Sequence, residues 1–297
     1  MSVRRMIVQA ELDGLNVQEL CAQHGISRWF FYDLRRRYRL DPFAAERANE
    51  CWQIDSTHWA LADETPVEII DIIDDCSRLI VCSAAVASCT TASAWDAVLV
   101  GAKRWGWPMR GLSDNGSAFR GDTQHGGGGI ETNLVALGIP MRHSRPYHPQ
   151  TCGKVERFHQ TLKRFLTAQS APENLDELQA QIDAFVEPYN YRRPHRSLGR
   201  RIPFDVWTST PHASPEPHAL DTTTRIVTRK VTNTRLEITR DCVIALGTRY
   251  NGQTATAVIT GPHAHVFIHG KLIRELTIDP TRSYQPIHDR PGHPPRL

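Results

Sequence analysis

Three acidic side chains in this chain of 297 residues could do chemistry together. Asp55 sits in the middle of Cys51-Trp52-Gln53-Ile54-Asp55-Ser56-Thr57-His58-Trp59, whose alternation is that of a β-strand, and Asp is disfavoured inside strands. Asp114 follows a short strand, in Leu112-Ser113-Asp114-Asn115-Gly116-Ser117-Ala118-Phe119, where Asn115-Gly116 forces a turn. Glu156 lies at the start of a helix expected from about Lys154 to Leu166. Val155, Phe158, Leu162 and Phe165 recur there at spacings of three and four and make one apolar face. Glu156, His159 or Gln160, and Lys163 border that face. Read singly, the three acids are a strand Asp with a partner or an exposed side, a turn Asp, and a surface Glu. Read together, three carboxylates can hold two Mg²⁺ ions roughly 4 Å apart, which can activate a water or hydroxyl and stabilise the leaving oxygen of a phosphodiester. Carboxylates so crowded raise one another's pKa until a metal neutralises them. Asp122 and Glu131, in or beside the glycine run Gly126 to Gly129, are rivals for the third acid. Asp71, Asp74 and Asp75 are rivals for the first, but they cluster at a turn, where solvated acids are usual.

The elements that must position these acids follow from patterning. In the first strand Trp52, Ile54, Ser56 and His58 share one face, and Gln53, Asp55 and Thr57 the other. Val67 to Ile73 and Leu79 to Val86 read as two further strands, joined through Asp74-Asp75-Cys76-Ser77-Arg78 into a hairpin. Thr91 to Trp105 reads as a helix ended by Gly106 and Pro108, and Met109 to Ser113 as a strand. Leu134 to Leu137 belongs to a helix stopped at Gly138, and Ile139 to Arg142 is another strand. A second long helix, about Leu175 to Tyr191, carries Leu178, Ile182, Phe185 and Val186 on one face. It leaves through the basic loop Asn190 to Leu198, and Pro203 to Trp207 closes the unit. Hairpins followed by alternating β and α predict an α/β fold, a mixed sheet with flanking helices.

Upstream, residues 1–40 read as a helix-turn-helix. Arg4 to Leu12 is a first helix. Asn16 caps a second, Val17 to His24, with Glu19 as its capping-box partner. Gly25-Ile26 turns, and Ser27 caps a third helix that runs to about Arg39. Asp41 to Glu50 reads as a short polar linker. Downstream of a core at residues 50–208, a Pro, His, Ser and Thr-rich linker occupies 209–224. The Thr, Val and Ile alternation of 225–280, with turns at Asn251-Gly252, Gly261-Pro262 and His269-Gly270, predicts a small β-barrel. Residues 281–297 form a polar, proline-rich tail expected to be disordered.

Composition bounds the function. The chain is 40% hydrophobic and 23% charged, as soluble globular proteins are. No apolar run approaches the ~20 residues of a membrane span, and Met1 to Ala10 has no signal-peptide core. The seven cysteines include no CxxC pair, which argues against zinc clusters and disulfide frameworks and for a reducing cytoplasm. Net charge is only +3, but residues 1–40 hold seven Lys/Arg against four Asp/Glu, 41–140 hold six against fourteen, and 141–166 hold six against one. Five more arginines fall between 191 and 201. An acidic centre flanked by basic segments fits a cation site beside a polyanion track.

Three segments carry a resemblance. Gln53-Ile54-Asp55-Ser56-Thr57, Asp114-Asn115-Gly116-Ser117-Ala118-Phe119 and His148-Pro149-Gln150-Thr151-Cys152-Gly153-Lys154-Val155-Glu156-Arg157-Phe158-His159 resemble, in order and context, the integrase core of bacterial insertion-sequence transposases, kin to retroviral integrases. Asp74-Asp75-Cys76-Ser77-Arg78 and Tyr189-Asn190-Tyr191-Arg192-Arg193-Pro194-His195 match as well. The resemblance implies a ribonuclease H-like fold and a catalytic, metal-holding triad of Asp55, Asp114 and Glu156 with Mg²⁺ or Mn²⁺. It implies cleavage and joining of double-stranded DNA at element ends, by an oligomer on terminal-repeat and target DNA, with no membrane partner. Lys163 matches a position that contacts the DNA end in relatives. The DNA-contacting candidates are Arg28, Tyr32, Arg35, Arg36, Arg145, His148, Lys154, His159, Lys163, Arg192 and Arg193. His269 to Leu276 resembles the C-terminal β-module of many such transposases. Two departures stand out: 41 residues separate Asp114 from Glu156, more than the mid-thirties typical of the family, and the N-terminal region is short. The extra length is expected in Arg120 to Thr132, as a loop that leaves the site intact. Two other readings stay open. One is a catalytically inactive DNA-binding regulator derived from a transposase; the other is a ribonuclease H-type nuclease that does not join strands.

Overall fold

The computed structural model describes residues 45–114, 116–122, 127–143, 153–215 and 224–287, with Gln18, Cys21, Ala22 and Ile26 to Arg28. Of the expected helix-turn-helix, only helical Gln18, Cys21, Ala22 and Arg28 and the Ile26 to Cys21 backbone hydrogen bond fall among these. Tyr32, Arg35, Arg36, Arg145 and His148 lie outside the described residues.

The segment expected as the core folds as β1 (Trp52–Ala60), β2 (Pro66–Asp74), β3 (Ile80–Val86), α1 (Thr91–Trp105), β4 (Gly111–Ser113), α2 (Ser117–Arg120), the two-residue ladder β5 (Gly121–Asp122) and β6 (Gly127–Gly128), α3 (Ile130–Ala136), β7 (Met141–His143), α4 (Gly153–Thr167), α5 (Leu175–Tyr191) and α6 (Pro203–Ser209). Five strands make one sheet in the order β3-β2-β1-β4-β7. β1, β2 and β3 are antiparallel; β4 and β7 run parallel to β1. This is a mixed sheet of ribonuclease H-like order with helices on both faces. Trp52, Ile54, Ile70 and Ile72 point to the α1 and α3 side, where they meet Trp95, Val98 and Leu134. Ile69, Ile73 and Leu112 point to the other side, under Val155, Phe158 and Leu162 of α4 and Ile182 and Phe185 of α5. Each such aromatic or branched side chain, buried on folding, contributes about 1.5–3 kcal/mol.

The long helices begin and end where their caps dictate. Thr90 and Ser93 form a reciprocal capping box at the start of α1, and Gly106, at φ +81°, ends it. Asn174 caps α5 by accepting from the Glu177 N–H at 2.9 Å.

Several expectations are corrected. Ala45, Ala48 and Asn49 of the supposed polar linker are buried: Asn49 N donates to Asp74 and its side chain to the Trp105 carbonyl. The second linker is pinned through Ala213, whose N–H meets the Ala48 carbonyl. Glu131 and Thr132 are helical, in α3, and not part of a glycine loop. Asp71, Asp74 and Asp75 are not solvated turn acids but buried. β2 is an inner strand covered on both faces, so an acid within it is carried inside and must find partners.

The C-terminal region holds β8 (Arg225–Lys230), β9 (Arg235–Thr239), β10 (Cys242–Ala245), β11 (Thr254–Thr260), β12 (His263–Ile268), β13 (Lys271–Thr277) and β14 (Tyr284–Gln285). They form two sheets, β13-β12-β11-β8 and β14-β10-β9, around their own apolar core. No closed barrel forms among the described residues: β9 pairs only with β10, so the hydrogen-bonded circuit is not completed. Arg274 ties the two sheets by donating to the carbonyls of Ala245, Gln285 and Pro286. Residues 281–287 of the expected tail pack on this module, with Gln285 buried; 288–297 lie outside the described residues. The module docks on the core. Phe267 stacks on Trp95 with ring centroids 4.7 Å apart, and Asn133 donates to the Gly270 carbonyl at 2.6 Å.

Candidate functional site

Asp55 and Asp114 meet through strand register. Ile54 pairs with Ser113 across parallel β1 and β4, so Asp55 and Asp114 are the next pair along, on backbones about 4.8 Å apart. The Asp55 carboxyl is pushed up to about 6, first by burial and then by the charges of Asp114 and Asp71, against the opposing charge of His159. Asp114 is exposed at the strand end, and its Oδ1 accepts from the Gly116 N–H at 2.8 Å, the turn that Asn115-Gly116 foretold. Its main-chain carbonyl lies 3.0 Å from Ser113 Oγ and 2.9 Å from His143 Nδ1. His143 Nε2 is in turn 3.0 Å from Glu131 Oε2. Glu131, the rival third acid, is thus engaged in holding the Asp114 turn.

Helix α4 closes the site from above. His159 is only 8% exposed. Its Nε2 lies 3.0 Å from Asp71 Oδ2 and its Nδ1 3.8 Å from Asp55 Oδ2. The Asp71 contact is short, but its angle is not that of a regular hydrogen bond, so it is an ion pair first. Burial alone would disfavour the imidazolium. The adjacent Asp71 carboxylate, and after it the charge of Asp55, outweigh it, and the His159 pKa stands above its ordinary value. The other Asp71 oxygen accepts from Ser83. Glu156 is exposed in the first turn of α4, three residues before His159, which puts their Cβ atoms about 5–6 Å apart on neighbouring helix positions. Among the described residues, no three His, Cys, Asp or Glu side chains form a metal-sized cluster.

The expected DNA contacts divide. Lys163 lies one turn beyond His159, half-buried and within electrostatic reach of it. Arg192 and Arg193 are exposed; Arg192 pairs with Glu187 at 3.1 Å, and Arg193 lies over the Tyr189 ring. Arg28 is exposed. His159 and Lys154 point inward: the Lys154 ammonium is 2.6 Å from Asp75 Oδ1 and the side chain is 15% exposed. Asp71, set aside in the sequence as a solvated turn acid, is instead buried beside His159. Its position inside Ile69-Ile70-Asp71-Ile72-Ile73, an acid in an unbroken apolar strand, was the available signal.

Among the described residues, no helix is long and apolar enough to cross a membrane. Two family models, both described as integrase core domain, match residues 45–149 and 137–203. The transposase InsD of insertion element IS2 from Escherichia coli is 26% identical over 213 residues, covering 66% of this chain and 68% of that one. The catalytic core domain of BIV integrase superposes with a TM-score of 0.42 at 27% identity, over 54% of this chain and 95% of that one. A simian T-cell lymphotropic virus intasome, solved in complex with PP2A regulatory subunit B56 gamma, superposes with a TM-score of 0.47 at 16% identity, over 91% of this chain and 99% of that chain. With both models falling on the five-stranded sheet and its helices, and with transposases as its sequence relatives, the chain belongs to the integrase-core family, alongside the transposases of bacterial insertion sequences.

Proposed function

We propose that this chain cuts and joins DNA strands at the ends of an insertion sequence, with a divalent metal held by Asp55, Asp114 and Glu156. The observation that carries the reading is the nearness of Asp114, one residue past the Ile54–Ser113 pair, to Asp55, whose carboxyl its charge helps raise to about 6. Two crowded carboxylates are a hard-oxygen donor set that suits Mg²⁺ or Mn²⁺, and a cation between them removes their repulsion. Glu156 is the third donor, supplied from the first turn of α4. When bound, the metal supplies the Lewis acidity that phosphoryl transfer needs.

The chain's own residues orient the site. Asp71 holds His159 against Asp55, which restricts the Asp55 carboxylate. Ser113 and His143 hold the Asp114 carbonyl, and with it the turn that presents the side chain. Lys163, Arg192 and Arg193 offer cations to a phosphate backbone. Arg28, Tyr32, Arg35, Arg36, Arg145 and His148 would extend that track. The partners are double-stranded terminal-repeat and target DNA and further copies of this chain, in the bacterial cytoplasm at the nucleoid.

One observation favours a second reading, a DNA-binding regulator with an inactive core: Glu156 is not gathered with the two aspartates into a three-ligand cluster among the described residues. A nicking assay on terminal-repeat DNA with Mg²⁺ separates the two. Cleavage by the wild type that is lost in Asp114→Asn, with DNA binding retained, supports the first. A wild type that binds and never cuts supports the second.

A further inference from the structure

We infer that Asp75, Gln53 and Lys154 form a buried polar clamp that sets the Glu156 helix against the Asp55 strand, and that Lys154 serves this clamp and not DNA. The inference rests on the reading of Asp55 and Glu156 as catalytic acids. It makes the three clamp residues positioning residues for that reaction.

Asp75 sits in the β2–β3 turn and is 2% exposed. Its Oδ1 accepts from Gln53 Nε2 and from Lys154 Nζ, each at 2.6 Å, and its Oδ2 accepts from the Ala45 N–H at 2.8 Å. Its own N–H donates to the Cys51 carbonyl at 2.9 Å. Gln53 then uses its remaining oxygen to accept the Val155 N–H at 3.3 Å, which satisfies one of the orphan donors of the first turn of α4. One carboxylate and one carboxamide thus join four separate segments of chain. Gln53 is two residues before Asp55 on the same strand face, and Lys154 and Val155 directly precede Glu156. The clamp is therefore a short polar path from one acid's backbone to the other's, beside the apolar packing of α4 and the His159–Asp55 contact. At the helix start Gly153 adds no packing of its own, being exposed with nothing within 4 Å of a Cβ placed there, so the clamp acts beside the single apolar anchor of the first turn, buried Val155. The buried Asp75 charge also needs its cation, because an uncompensated buried charge is strongly unfavourable. That leaves the Lys154 ammonium committed. A shift of about 1 Å in a catalytic group can cost 100-fold in rate, so slack at this point reaches the chemistry directly.

The test uses the full chain with Lys154→Met, Lys154→Arg and Asp75→Asn. Three readouts are compared with wild type: single-turnover cleavage of terminal-repeat DNA, DNA affinity against salt, and amide hydrogen exchange of Val155 to Phe158. Lys154→Met is expected to slow cleavage of bound DNA about 10–100-fold. It should leave DNA affinity and its salt slope unchanged, and remove exchange protection from the first turn of α4 but not from its middle. Lys154→Arg is expected to restore both rate and protection. If Lys154→Met instead weakens DNA binding, lowers the salt slope by about one and leaves the rate on bound DNA intact, Lys154 is a DNA contact and the clamp is overturned. Unchanged exchange protection overturns it as well. Should Asp75→Asn fail to fold, the two Lys154 variants decide. Should wild type itself never cleave, the catalytic reading has failed, and hydrogen exchange alone still judges the clamp.

Discussion

Gly270 is the point at which the C-terminal module is keyed into the core, and replacing it with alanine should separate the two. Its φ is +69°, a left-handed conformation that costs a residue with a Cβ about 1–2 kcal/mol. The added Cβ would lie 2.7 Å from Ala92 Cα, 2.7 Å from the Thr91 carbonyl oxygen and 2.8 Å from Ala92 N. All three are backbone atoms at the start of α1, so no side-chain rotation relieves the clash. The β12–β13 turn must pull away. That strains the Asn133 to Gly270 hydrogen bond, worth about 1 kcal/mol, and the Trp95–Phe267 contact, worth about 0.5–1.5 kcal/mol beyond its buried area. The left-handed strain falls on the turn whether or not it docks, so the docking itself loses these two contacts, about 2 kcal/mol or roughly thirtyfold in the docked-to-undocked ratio. One apolar cluster lies wholly in the core and another wholly in the module, so the expected result is separation without unfolding, with Val258 and Phe267 leaving the shared cluster around Trp95. Small-angle scattering should show a larger radius of gyration for Gly270→Ala. Hydrogen exchange should rise at Phe267 and around Asn133, while β1 and β2 stay protected. A scattering curve and exchange pattern that match wild type would refute the idea that this turn carries the docking.

Other consequences are as direct. Asp71→Asn removes the charge partner of buried His159 and should cost about 3 kcal/mol in urea unfolding, the low end for stripping one partner from a buried ion pair; an unchanged midpoint would show that the pair contributes nothing. Burial, then the charges of Arg193 and Arg78, lower the His195 pKa to about 4. Above pH 6.5 both folded and unfolded His195 are neutral, whereas between 6.5 and about 4 only the unfolded chain takes up the proton. Stability should therefore fall as pH falls through that window. After discounting for its partial exposure the loss is about 1–2 kcal/mol. His195→Gln should flatten this slope, and parallel pH profiles for the two proteins would count against it. Lys163→Ala should weaken binding of all DNA sequences alike and reduce the salt slope by about one; an unaltered slope would remove Lys163 from the DNA track.

Much of the frame was legible because its signals are local. The bounds of α1 and α5 follow from Thr90, Gly106 and Asn174, residues whose capping chemistry acts within one turn. Asp55 was legible as an acid in a strand interior. Asp71 stood in the same predicament but lay three residues from Asp74-Asp75, and the group was read as a turn. Only its place on an inner strand, covered on both faces, shows that it is buried. The inward turn of Lys154 was not legible, since its partner Asp75 lies 79 residues away. Nor could alternation in the C-terminal strands disclose whether the last would bond to the first, which is what distinguishes two sheets from a barrel. The Ala45 to Asn49 stretch is polar by composition, yet the amides at its two ends, Ala45 and Asn49, are claimed by Asp75 and Asp74, acids whose burial was itself misread.

The triad is tested most directly by Mn²⁺ titration of the full chain, followed by electron paramagnetic resonance without DNA. We predict saturable binding by wild type, weakened about 10–100-fold in each of Asp55→Asn, Asp114→Asn and Glu156→Gln. Binding by Glu156→Gln with wild-type affinity, or Mn²⁺ binding that none of the three substitutions alters, would contradict the convergence of these acids on one metal.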